Sequence, residues 1–136
     1  MQVTPYSSPN NDSQVVTQAK IDQGVGIQHI LEVANLYNVR QQDIADILGV
    51  SVRSIQKRRG SGRETLDKNL TERILTLREL MEIAVTYFGC EKSAQEWFQQ
   101  NNRGLGDVNP FALCDSFLGM ARVRNSIMKF TYGMTA

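Results

Sequence analysis

Arg53, Ser54, Gln56, Lys57, Arg58 and Arg59 put four cations and two polar side chains into one run of seven residues. Side chains of this kind bond acceptor-rich and anionic surfaces. Arginine pairs bidentately with guanine and glutamine with adenine in the major groove of DNA. Read as a helix over Val52 to Arg59, the run turns Ile55 inward and the polar residues outward. In a DNA-reading helix the N-terminal residues meet base edges, so Arg53, Ser54, Gln56 and Lys57 are the candidates for reading sequence. Arg58 and Arg59 lie a turn later and fall to phosphate, a contact that positions without specifying. Ser51 precedes the run as a good N-cap, its hydroxyl able to accept from a free backbone N–H of the first turn. It joins the candidate DNA-binding set.

A short helix and a tight turn must position that run. Ile44, Ala45 and Leu48 give an apolar face to a helix over roughly 42–48. Gly49 follows where a helix end needs a residue free to enter the left-handed region. Val50 fills the angle between the helices, and Ala45 is small enough for a close crossing. The layout is that of a helix-turn-helix. Gln41 and Gln42 stand at the N-terminus of its first helix, where an anion is favoured, and complete the candidate DNA-binding set. The plainer alternative is an αα-hairpin with a solvated basic face. Charge partition weighs against it: residues 1–50 balance to −3, residues 51–73 to +4 and residues 74–136 to 0. The positive excess begins on the proposed recognition helix, where phosphate neutralisation needs it.

The 136 residues leave room for one or two small domains. The net charge of +1 is too small for a polycation that coats DNA, so affinity must come from a patch, doubled by forming a homodimer or higher oligomer. Cys90 and Cys114 form no C-x-x-C pair and His29 stands alone, which argues against a metal site. Both cysteines are expected to be reduced and buried. No nucleophile–base pair stands out. Gly60-Ser61-Gly62 lacks the strand and lysine of a phosphate loop, so no enzyme activity, cofactor or small-molecule substrate is expected. No apolar run reaches membrane-spanning length and no leader pattern opens the chain. A cytoplasmic protein without a membrane partner is the expectation.

Residues 1–19, rich in Ser, Asn, Gln and Pro, read as a disordered arm. Residues 20–62 read as the helix-turn-helix domain, with a helix over about 27–37 packed behind the pair, and Gly60-Ser61-Gly62 as a linker. Residues 63–136 read as a second helical domain. Asp67 caps a long helix stopped by Gly89. On it Leu70, Ile74, Leu77, Met81, Ala84 and Phe88 form one stripe, and Leu80, Ile83 and Tyr87 a second. A short helix over Ser93 to Gln100 turns Ala94, Trp97 and Phe98 inward. Gly104 and Gly106 mark a loop, Pro110 opens a short helix, and a last helix over about 117–131 turns Leu118, Val123, Ile127 and Phe130 inward. No strand-like alternation is visible, so the fold class is all-α.

The order of residues across the second half carries a resemblance. Arg58-Arg59, Leu66 and Arg73-Ile74 are followed by Ala94, Trp97-Phe98 and Gly104-Leu105-Gly106. Then come Asn109-Pro110-Phe111, Leu113, Asp115-Ser116, Gly119, Val123 and Tyr132-Gly133. Over roughly residues 27–134 the chain resembles the Xre/MbcA/ParS-type antitoxins of RES-Xre type II toxin–antitoxin systems. It departs from their pattern mildly, with Phe98 where leucine is frequent, Cys114 for leucine and Ser116 for threonine. The resemblance implies a helix-turn-helix domain followed by a small toxin-binding domain. It implies a cognate RES-domain toxin that consumes NAD, blocked at its active site, and an operator bound to repress the chain's own operon. By position Arg122, Arg124, Tyr132 and Met134 are the implied toxin-binding residues, a solvated basic helix face being the plainer reading. The alternative function is a stand-alone dimeric helix-turn-helix repressor with a C-terminal dimerisation domain.

Overall fold

The computed structural model describes residues 28–61 and 66–131, without the side chains of 58–61 and 130–131. The proposed arm, Tyr132 and Met134 lie outside the described residues. Among the described residues seven α-helices follow one another: α1 Gln28–Tyr37, α2 Gln41–Leu48, α3 Val52–Ser61, α4 Lys68–Phe88, α5 Glu91–Gln99, α6 Pro110–Leu113 and α7 Phe117–Thr131. A 3₁₀ turn, Arg103–Leu105, precedes α6. Among the described residues there is no strand, only an isolated bridge between Asn102 and Val108.

The long helix α4 is the spine. The Asp67 side chain accepts from the Leu70 N–H at 2.8 Å and fixes its start. Gly89, at φ +95°, ends it. Its buried residues run Leu70, Thr71, Ile74, Leu77, Leu80, Met81 and Ala84, an arc wide enough to serve three neighbours: α1, α5 and α7 pack against it. Of the second expected stripe Leu80 is buried, Ile83 half-buried and Tyr87 exposed.

Aromatic rings join α1 to helices that follow α4. Tyr37 of α1 meets Phe98 of α5 edge-on at 4.8 Å and Phe111 of α6 at 5.5 Å, within the centroid range favoured by aromatic pairs. Trp97, half-buried, bridges Phe98 and Phe88 at 5.1 and 5.3 Å. Burial pushes the Tyr37 phenol well above its usual pKa, so it stays protonated and donates to the Leu77 carbonyl at 2.7 Å. The first helix is thereby built into the same core as the last ones.

Three expectations are corrected. Leu118 is 75% exposed, because the buried stripe of α7 is Met120, Val123 and Ile127, and Leu118, five residues before Val123, falls on the opposite side of the helix. Cys90 is exposed, since it precedes the first turn of α5 rather than lying within a helix face. Cys114 is buried as expected. Finally, α3 does not stop before Gly60 but runs through Gly60 to Ser61; one glycine costs a helix only about 1 kcal/mol relative to alanine, too little to end it alone.

Candidate functional site

The two short helices that frame the basic run form as their sequence dictates. Gly49 takes φ +72° and the turn closes with Gly49 N–H on the Asp46 carbonyl and Val50 N–H on the Ala45 carbonyl, the double bond of a glycine-ended helix. Ser51 Oγ then accepts from the Ser54 N–H at 2.9 Å and starts α3. Ile55, 1% exposed, is the anchor of α3 on the core.

On the outer side Arg53, Gln56 and Lys57 are exposed and Ser54 is half-buried. Three of the four expected base-reading residues thus share an open face, and among the described residues Arg53 and Lys57 form no ion pair. Arg58 and Arg59 lie on the last turns of α3, with side chains outside the described set. Ser51 is exposed and its oxygen is the cap acceptor, which leaves the hydroxyl proton free to donate. Gln41 is half-buried. Gln42 is exposed but donates one amide N–H to Asp46 at 2.8 Å, so it reaches α2's N-terminus with a single free donor.

Two arginines beside this unit were not among the expected site residues. Arg40 precedes α2 and bonds Asp43 through Nε at 3.1 Å and Nη2 at 3.0 Å, while its backbone N–H donates to the same carboxylate at 3.1 Å. Bonding from Arg40 holds the Asp43 carboxyl below its ordinary range. The Arg40 side chain is nonetheless 81% exposed. Only the Asp43 half of a capping box is made, its carboxylate accepting from the Arg40 backbone N–H, since an arginine N-cap has no acceptor to return the bond. Arg73 is the second. It reaches from α4 to the end of α2 and to the turn before α7, and no local pattern announces that.

On α7 Arg122 is exposed and Arg124 half-buried. Arg124 Nη1 donates to Glu79 of α4 at 2.9 Å. Leu118 and Arg122, four residues apart, are both exposed and share a face. Ser116 Oγ accepts from Gly119 N–H at 3.0 Å and begins the helix. Gly119 is required by close approach: a Cβ there would lie 1.7 Å from the Leu113 carbonyl oxygen. The cysteines do not form a site. Ser93 bonding lowers the exposed Cys90 thiol, whereas burial raises Cys114 to about 12.

No helix among the described residues is long and apolar enough to cross a membrane. Residues 18–79 match the family described as the antitoxin Xre-like helix-turn-helix domain. Residues 84–133 match the antitoxin Xre/MbcA/ParS C-terminal toxin-binding domain. The chain is also 29% identical over 120 residues to "Antitoxin Xre" of Photorhabdus laumondii subsp. laumondii, an alignment covering 87% of this chain and 80% of that protein. The boundary between the two matched families falls within α4.

Proposed function

Since the chain belongs to the Xre/MbcA/ParS antitoxins, we propose that it silences a co-encoded RES-domain toxin that consumes NAD and represses its own promoter. Residues 20–62 are assigned to the DNA and residues 63–136 to the toxin, with α4 as a spine common to both. The observation that carries the DNA half is the capped helix α3 with Arg53, Gln56 and Lys57 on one open face.

In this reading Arg53, Ser54, Gln56 and Lys57 read base edges. Gln41, Gln42, Ser51, Arg58 and Arg59 hold phosphates on either side. Two copies bind an operator with twofold symmetry, because one short basic patch on a chain of net charge +1 supplies too few phosphate contacts for a stable complex. Arg122, Arg124, Tyr132 and Met134 face the toxin. Arginines suit a partner surface that offers carboxylates, since guanidinium pairs with carboxylate bidentately.

Co-expression with the adjacent reading frame tests the toxin half. Rescue of growth and co-purification as one complex are expected; neither rescue nor co-purification would overturn it. A mobility-shift titration on the duplex upstream of the chain's own reading frame tests the DNA half. Tight binding to that duplex in the absence of any toxin, together with no effect on the neighbouring gene product, would favour a stand-alone repressor.

A further inference from the structure

We propose that Arg73 is a positioning residue for the DNA-reading helix, its guanidinium tying the end of α2, and through it α3, to the turn that opens α7. The inference rests on the reading of α2 and α3 as a DNA-binding unit.

A helix leaves its last carbonyls without partners inside the helix. At the end of α2 the turn amides of Gly49 and Val50 serve Asp46 and Ala45. The carbonyls of Ile47 and Leu48 are served from outside: Arg73 Nη2 donates to Ile47 at 2.5 Å and Nη1 to Leu48 at 3.0 Å. The same Nη2 donates to the Asp115 carbonyl at 2.9 Å, in the turn between α6 and α7. One planar fork therefore spans three carbonyls on two segments, a geometry that a lysine ammonium on its flexible stem does not reproduce. Arg73 Nε is buried without a partner, an unmade bond that a freely placed arginine would avoid.

The packing gives this fork its leverage. Helix α3 packs on α2, α2 packs on α1, and neither rests broadly on α4. Arg73 is a side chain of α4 that hydrogen-bonds the last carbonyls of α2. The direction of α3 is inherited from the last turn of α2, and that turn is held by Arg73. A displacement of the α6–α7 turn, such as a partner bound to α7 would cause, reaches α3 through the same group.

Residual dipolar couplings on the full chain test this directly. Relative to α4, α3 is expected to reorient in both Arg73→Met and Arg73→Lys while α4–α7 keep their wild-type alignment. Unchanged α3 couplings in Arg73→Met, or full rescue by Arg73→Lys, would overturn the proposal whether or not the chain binds DNA. Titration with the duplex upstream of the chain's own reading frame adds a second readout. In Arg73→Met, preference for that duplex over random DNA should fall about tenfold or more with the salt slope unchanged, because no phosphate contact is removed. A slope reduced by about one would make Arg73 a DNA contact and defeat the positioning role. If wild type shows no preference for the duplex, the DNA-binding reading fails and the couplings alone decide on Arg73. Should both variants fail to fold, the wild-type guanidinium protons decide: scalar couplings from Arg73 Nη across to the Ile47, Leu48 and Asp115 carbonyls support the tie, and their absence overturns it.

Discussion

Helices α3 and α7 are both basic and both free of acidic residues, yet they are built for opposite ends. Among its described side chains α3 buries only Ile55. Its start is fixed by Ser51, and its described cations, Arg53 and Lys57, are exposed. Helix α7 buries Gly119, Met120, Val123 and Ile127, lies along the spine α4, and ties Arg124 back to Glu79. A helix with one anchor and free cations presents a surface. A helix with a full buried stripe is part of the core and has only its outer edge to offer. Basic composition alone does not separate the two; burial and pairing do.

The difference should be largest in stability. Ile127→Ala and Ile55→Ala remove the same atoms from fully buried positions, each costing about 2–5 kcal/mol by chemistry alone. Ile127 is enclosed by the spine, so its cost should fall at the upper end; Ile55 lies on a helix packed on one side and should fall at the lower end. Gly119→Ala should destabilise further than an exposed helix substitution, since the Leu113 backbone must move to admit a Cβ. Urea denaturation of the three variants checks the order, and an Ile55→Ala cost above that of Ile127→Ala would break the comparison.

Next in size is recognition. If α3 presents its cations to DNA, Arg53→Ala should lower affinity for the upstream duplex by about 1–3 kcal/mol while leaving random DNA nearly unaffected. Arg59→Ala should weaken both alike and reduce the salt slope by about one. Competition titrations at several salt concentrations read both effects, and the reverse pattern would exchange the two roles. Ser51→Ala should follow at about 1 kcal/mol of stability through the lost cap, seen as a lower denaturation midpoint.

What could be read from the sequence was local. Ser51 and Asp67 as caps, Gly49 and Gly89 as stops, and Pro110 after Asn109 are signals that act within one turn, and each stands where expected. The apolar phase of α4 was legible because 21 residues average out ambiguity. On α7 Val123 and Ile127 are buried as expected, but Leu118 is not: Met120, three residues before Val123, continues the buried stripe, whereas Leu118, five before it, falls on the outer side. Cys90 failed because thiol burial is a preference of residue type, overruled by its place at a helix start. Arg73 was invisible as a bridge, since its acceptors lie 25, 26 and 42 residues away. The fold was therefore legible wherever one helix or its ends decided it, and so was the exposed face of α3, but not the bonds made where separate segments meet.

The smallest expected effect is the sharpest on α7. Arg124 and Glu79 have side chains 43% and 51% exposed, so solvent and salt screen their attraction and the pair should contribute only about 0–1 kcal/mol to stability. Arg124→Ala should leave the denaturation midpoint nearly unchanged. If α7 only packs, nothing else should change either. If its outer edge meets the toxin, Arg124→Ala and Arg122→Ala should each weaken toxin binding by calorimetry. Arg122 should weaken it more, because Arg124 must first leave Glu79 to make a new contact, and the energy lost there offsets part of what it gains. Equal and negligible changes in both variants would return α7 to a purely structural role and leave the comparison with α3 as one between a surface and a core.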